Sequence, residues 1–454
     1  MKHRTTYHTS RGAIPQLITF ALACTLACAA VLTGCTTGNS EQSAHDAETS
    51  RNAFTVNDRS DATSSQTTGT QTSHKLDGAQ ETTDENGIVH GVSADGITYT
   101  VHGRGESSLT SNVVTLAACG DQIGTDNSLP IARSYGAAAG TDYDFTPFYQ
   151  DISDFVQSYD LRYINQETVM AGEDAGYSGY PIFNTPDAAA EAIHNVGYNL
   201  VNFATNHTYD MGTAGIERSH EVFAQYPELI VGGSYLSEEA RDTVQMIERN
   251  GITFAFLAYT YGDNMYLDAD SMPNSYYSCV FDEDTAAEDI ARAKKVADVV
   301  IVSMHWGSEY VTTPNDQQLE WAQFLVDQDV DLVLGTHAHI LQPTKLYTSP
   351  SGKTVPVVFG LSDFISGWTI TDCIISGIFT CEFTQQSDGS VTVQNPTFYP
   401  CIEWSNGGDV YVRMLKDLSA DEMDANTRTE DVGNDSDYIP AFIDDLGMDI
   451  PVVM

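Results

Sequence analysis

Five short stretches of this chain carry side chains able to hold a cation or move a proton, and each follows a run of apolar or β-branched residues. Gly120 and Asp121 follow residues 113–119, Asn165, Gln166 and Glu167 follow 161–164, and Asn206 and His207 close 199–204. His305, Trp306 and Gly307 follow 299–304, and Gly335-Thr336-His337-Ala338-His339 follows 332–334. Taken singly, a Gly-Asp after a strand is ordinarily a turn, and a lone histidine is ordinarily a hydrogen-bonded one. Strand ends of an open α/β sheet converge on one crevice, so the ordered set would gather although it is scattered in sequence. Carboxylate, imidazole and amide oxygen together suit borderline divalent ions such as Mn, Fe or Zn better than Ca. Two such ions ~3.5–4 Å apart would clamp the attacking and leaving oxygens of a displacement and acidify a bridging water. A carboxylate shared by both would hold that spacing, and Glu167 is the best candidate.

The elements that must position these groups read as βα units. Runs 113–119, 161–164, 199–204, 252–259, 299–304 and 332–334 are strand-like. Residues 187–196, 216–223, 285–296 and 316–327 carry apolar side chains at helical spacing between them. This alternation makes the fold class α/β, with one core over residues 112–405.

Three motifs then resemble a known family. NLVNFATNHTYDMG (199–212) looks like the VSLANNHxxDxG segment of CapA-type capsule (poly-γ-glutamate) synthesis proteins. VIVSMHWGSEY (300–310) looks like their VSLHWGxEY, and GTHAHILQP (335–343) like GHHPHVLQP. GYPIFNTP (179–186) is similar to the loop before the helix that leads to Asn206. The resemblance implies a metallo-dependent phosphatase-like, four-layer α/β/β/α sandwich of the calcineurin-like superfamily. It implies one ion on Asp121, Glu167 and His339 and a second on Glu167, Asn206, His305 and His337. His207 would face the scissile group as the catalytic side chain, with Asn165 and Asp363 on the substrate side. Two departures stand out: Asp121 is followed two residues on by Ile123 rather than histidine, and Asp363 replaces an asparagine in GLSDFI (360–365).

The ends of the chain imply where this chemistry would operate. Lys2, Arg4 and Arg11 precede an apolar run over 14–32 that ends in Leu32-Thr33-Gly34-Cys35. Residues 1–35 therefore read as a lipoprotein signal peptide with Cys35 lipidated, the other reading being an uncleaved signal anchor. Residues 36–87, rich in Ser and Thr, read as a disordered stalk, since they cannot bury enough apolar surface to offset ordering. Residues 88–111 read as a short β lead-in, and 406–454 as an acidic tail, peripheral or partly disordered. The protein would sit on the outer face of the cell membrane, held by its lipid alone.

With 20 Lys+Arg against 63 Asp+Glu, the net charge of −43 excludes nucleic acid as a partner and disfavours docking on an anionic bilayer. The five cysteines beyond the leader, Cys119, Cys279, Cys373, Cys381 and Cys401, fit either isolated thiols or one bridge from Cys373 to Cys381 or Cys401. Two functions remain open. One is a metal-dependent hydrolase or transferase acting on an anionic cell-surface polymer or its phosphorylated or γ-glutamyl precursor. The other is a non-catalytic subunit holding polymer or membrane capsule-synthesis proteins. A surface phosphoesterase unrelated to capsule would also fit the metal ligands.

Overall fold

Residues 299–304 are apolar apart from Ser303, without alternation, as a strand covered on both faces requires, and they form the fully buried centre of a large sheet. The structure, a computed structural model, describes residues 74–105, 111–266, 271–429 and 434–454. The expected signal segment, Cys35 and the stalk up to residue 73 lie outside the described residues.

In chain order the strands are β1 (Gln80–Thr83), β2 (Val89–Val92), β3 (Thr98–His102), β4 (Val113–Gln122), β5 (Leu161–Gln166) and β6 (Leu200–Asn202). They continue as β7 (Ile230–Gly232), β8 (Val244–Arg249), β9 (Ile252–Thr260), β10 (Val299–His305), β11 (Leu332–Thr336) and β12 (Leu341–Thr348). The last are β13 (Thr354–Leu361), β14 (Asp363–Ile365), β15 (Ile375–Gln385), β16 (Val391–Trp404) and β17 (Tyr411–Met414). One sheet has nine strands in the order β1-β2-β3-β8-β9-β10-β11-β13-β12, and the other runs β17-β16-β15-β4-β5-β6-β7 with β14 beside β4. The centres β9-β10-β11-β13 and β4-β5-β6-β7 are parallel, so their carboxyl ends share one side of the molecule.

The inner faces of the two sheets meet in a core containing Leu116, Tyr163 and Leu200 from one and Phe254, Ile301 and Leu334 from the other. Helices Ser128–Ala139 and Ala188–Val196 cover the outer face of the second sheet through Leu129, Ala132 and Ile193 against Cys119, Ile164 and Val201. Helices Glu283–Val296 and Asp316–Asp327 cover the first sheet through Ile290, Ala293 and Leu325 against Val300, Val302 and Val333. This is the expected four-layer α/β/β/α sandwich. Caps set two helix starts: Asp282 accepts from Thr285 N, and Asn315 with Gln318 forms a capping box. Among the described residues no helix is long and apolar enough to cross a membrane.

Two expectations differ from what is observed. Strand β1 falls inside the segment expected as stalk, and β1–β3 extend the nine-stranded sheet through the pairing of β3 with β8 rather than forming a separate lead-in. Their polar outward residues hide a short alternating pattern. The 406–454 segment is built into the body: β17 pairs with β16, and Ile439, Ile443 and Ile450 join the inter-sheet core. An isoleucine pair at i, i+4 is easily lost against an acidic background. Of the two readings for the cysteines, isolated thiols hold: all five are buried and none is bridged.

Replacing Ile439, fully buried at the end of the chain, by Ala is expected to cost about 2–5 kcal/mol. Urea unfolding of the full chain checks this; an unchanged midpoint would mean that the C-terminal helix does not pack on the core.

Candidate metal centre

The site begins with backbone approaches that only small residues permit. Asp121 ends β4, where its N–H donates to Ser362 O at 3.0 Å. A Cβ on the preceding Gly120 would lie 1.9 Å from that same carbonyl oxygen, so glycine is what lets β14 close against β4. Gly335 does the same in the other sheet, where a Cβ would lie 2.2 Å from Phe359 O. Beyond these crossings the chain turns sharply. His337, His339, Tyr310 and Ser362 adopt positive φ of 91°, 55°, 61° and 64°. Left-handed backbone at non-glycine residues costs energy that packing must offset, and here it concentrates where polar side chains are aimed inward.

All six expected ligands come together. Asn165 Nδ2 donates to Asp121 Oδ1 at 2.7 Å, and His337 N–H donates to Asp121 Oδ2 at 3.2 Å. His305 Nε2 stands 2.8 Å from Asn206 Oδ1, while its Nδ1 faces Thr336 Oγ1 at 3.0 Å. The His305 and His337 rings are 4.8 Å apart and those of His337 and His339 5.8 Å. His339 Nδ1 bonds Asp363 Oδ1 at 2.7 Å, and its Nε2 is 3.7 Å from Glu167 Oε1. Asp121, Glu167 and His339 form one group with ligand atoms within 4.8 Å of one another, as the first ion requires. Trp306, stacked on Phe359, donates its indole N–H to Phe359 O at 2.9 Å and so anchors the residue after His305.

Two side chains expected to face substrate do not. Asn165 and Asp363 are both 0% exposed. Asn165 is used up on Asp121 and on Asn202, whose amide reaches Asn165 Oδ1 at 2.7 Å, and Asp363 gives one oxygen, Oδ1, to His339. Buried as they are, they orient Asp121 and His339 instead, as outer hydrogen bonds would around a metal.

The electrostatics test whether a cation fits. Asp121, Asp363 and Glu167, at 0%, 0% and 1% exposure, place three carboxylates side by side away from water. Glu167 Oε2, Asp363 Oδ2, Asn206 Nδ2 and His337 Nδ1 are buried with no hydrogen-bond partner. Such orphans are rare and costly unless something outside the chain satisfies them. Burial, then the charge of Asp363, pushes the Asp121 carboxyl up to about 7, and burial raises Glu167 well above the usual carboxylate range. Burial holds His305 and His337 well below the usual imidazole value, which leaves them neutral as ligands must be. Burial would also lower His339, but Asp363 and Glu167 outweigh it and hold it well above. Protons thus stand where positive charge is needed, and divalent cations suit this donor set.

His207 lies beside the ligands. Its Nδ1 is 2.8 Å from Asp210 Oδ2, which also accepts from Phe183 N–H at 2.8 Å, and Asn264 Nδ2 lies 3.3 Å from its Nε2. The Phe183 ring meets it edge-on at 4.6 Å. A cleft of about 270 Å³ opens here, lined by Ile123, Glu167, His207, Glu309, Tyr310, His339 and Trp368 among others, with no Lys or Arg. Asp210 and Glu309 were not singled out from sequence although both stand inside quoted motifs. Asp263, pushed up to about 6 by burial, is near His207 only through a loop that no motif marked.

Residues 115–368 match the family described as bacterial capsule synthesis protein PGA_cap. The chain is similar to the PGA biosynthesis protein CapA of Bacillus subtilis (strain 168), 30% identical over 187 residues, or 41% of this chain and 48% of that one. It is 27% identical to the capsule biosynthesis protein CapA of Bacillus anthracis over 268 residues, 57% of this chain and 61% of that one. The chain therefore spans about half to three-fifths of the length of these curated relatives. A solved structure, the NAD nucleotidase of Haemophilus influenzae, is similar in fold at TM-score 0.39 and 12% identity, over 74% of this chain and 60% of that one.

Below about pH 7 a cation binding at Asp121 would have to displace a proton, because that carboxyl is raised to about 7. A raised carboxyl lowers metal-free stability progressively as pH rises from about 4, the unfolded value, through about 7. Added Mn(II) should therefore raise the melting temperature of the full chain more at pH 8 than at pH 5. Thermal unfolding with and without Mn(II) checks this; equal shifts at both values would contradict it.

Proposed function

The chain belongs to the bacterial capsule synthesis protein family PGA_cap, and from that premise we propose that it acts in capsule or poly-γ-glutamate synthesis or export at the outer face of the cell membrane. Its two-cation centre would hydrolyse or transfer a phosphoester or γ-glutamyl group of an anionic polymer or its precursor, with Cys35 carrying the lipid anchor. The observation that carries this reading is the convergence of Asp121, Glu167, Asn206, His305, His337 and His339 with several of their buried polar atoms unpartnered. The names of the two Bacillus relatives support the polymer context.

In this reading Asp121, Glu167 and His339 hold one cation, and Glu167, Asn206, His305 and His337 the other. When bound, such ions polarise the scissile group and acidify a water. The chain's own residues do the rest. Asn165 fixes the Asp121 carboxylate and Asp363 fixes the His339 ring, so that the ligands are oriented before a cation arrives. Asp210 takes the Nδ1 side of His207, leaving Nε2, which once protonated would stabilise charge on, or give its proton to, the leaving atom. Because no Lys or Arg lines the cleft, an anionic substrate would be neutralised by the cations rather than by side chains.

A second reading, a subunit that binds polymer or membrane partners without turnover, draws support from Ile123, which lines the cleft where a further ligand would strengthen the first ion site.

His207→Ala in the purified, Mn-loaded full chain is expected to lower turnover of phosphoester or γ-glutamyl substrates by about 10²-fold or more while bound metal stays at the wild-type level. Activity unchanged by the substitution would remove His207 from the mechanism, and a wild-type chain that binds metal but turns nothing over would favour the subunit. Separately, Cys35→Ala should release the chain from the membrane fraction; retention there would contradict the lipid anchor.

A further inference from the structure

The geometry points to Glu309 as an additional ligand of the ion held by Asp121, Glu167 and His339, closing its shell from the cleft side. The inference rests on the proposed two-cation centre and adds a residue that the expected ligand set lacks. Ligand atoms of Glu309, His337 and His339 lie within 4.8 Å of one another, as do those of Asp121, Glu167 and His339. His339 belongs to both groups. Its Nδ1 is taken by Asp363 Oδ1 at 2.7 Å, which leaves Nε2 as its ligating atom. One lone pair serves one ion, so Glu309 stands beside a ligand of the first ion, His339, and a ligand of the second, His337, and of the two ions the first is the one with fewer protein ligands.

The 3.7 Å between His339 Nε2 and Glu167 Oε1 is too long for a hydrogen bond and suits two ligands each about 2.1 Å from a shared ion. Asp121 and Glu167 approach from the buried side, and Glu309 is the exposed member of its group. Without it the ion would have three protein ligands, because Ile123, two residues past Asp121, lines the same cleft and offers no ligand atom.

Independent observations show that the place is prepared. Glu167 Oε2 and His337 Nδ1 are buried without hydrogen-bond partners beside it. The turn carrying Glu309 is fastened to the histidine loop, since Tyr310 N–H donates at 2.8 Å to Ala338 O, the carbonyl between His337 and His339. Tyr310 makes that bond at φ 61°, a conformation that an aromatic residue adopts only under constraint. Glu309 is exposed and lines the cleft, so its carboxylate can turn toward a cation without leaving the core.

The test is titration of the chelator-stripped full chain with Mn(II), with free Mn(II) followed by electron paramagnetic resonance. Wild type is expected to take up two ions. Glu309→Gln, isosteric and exposed, should leave one affinity unchanged and weaken the other at least about tenfold, and His339→Ala should weaken that same ion. An unchanged metal-free melting temperature shows that the Gln variant folds. If Glu309→Gln binds both ions like wild type, or weakens both alike through charge alone, the inference is overturned while the metal centre stands. If the wild-type chain binds no Mn(II), the centre and the inference fall together.

Discussion

Three carboxylates buried against one another set the terms for this protein. Asp121, Glu167 and Asp363 are withdrawn from water at the junction of two sheets, where like charges repel strongly and each desolvated anion is costly. Positive charge must join them. In the bare chain it comes from protons, held on Asp121, on Glu167 and on His339 between Glu167 and Asp363. Neutral His305 and His337 and the unpartnered amide of Asn206 wait on the other side. Divalent cations would answer both halves of this imbalance, neutralising the acids and occupying the lone pairs.

The sandwich makes that concentration of charge sustainable. The inter-sheet core fixes β4 and β10 on opposite sides of one layer, and glycines at 120 and 335 let the neighbouring backbones close in. The strain in the turns at His337, His339, Tyr310 and Ser362 lies just outside this rigid frame. Flexible turns could not hold these six side chains together, whereas turns pinned by backbone bonds such as Tyr310 N–H to Ala338 O can.

Much of this was legible in the sequence because the strands that matter are largely buried and read as short, mostly apolar runs. The ligands were legible because each stands at the end of such a run. What escaped had other causes. The roles of Asn165 and Asp363 depend on which way a side chain points after the strand ends, and spacing does not encode that. Glu309 stands inside the HWGSEY motif but is exposed after a glycine turn, and its distance to His337 and His339 is what marks it as part of the site. Strands β1 to β3 and the helix Asp435–Asp445 carry too few apolar residues to rise above their polar surroundings, yet Val101 and Ile439 are fully buried once the sheets assemble.

Anomalous diffraction at the manganese absorption edge, from crystals of the Mn-treated protein, tests the central claim most directly. The account predicts two peaks about 3.5–4 Å apart, one touching Asp121, Glu167 and His339 and the other Asn206, His305 and His337, with Glu167 between them. A map with no peak among these side chains, from protein shown to contain manganese, would contradict it.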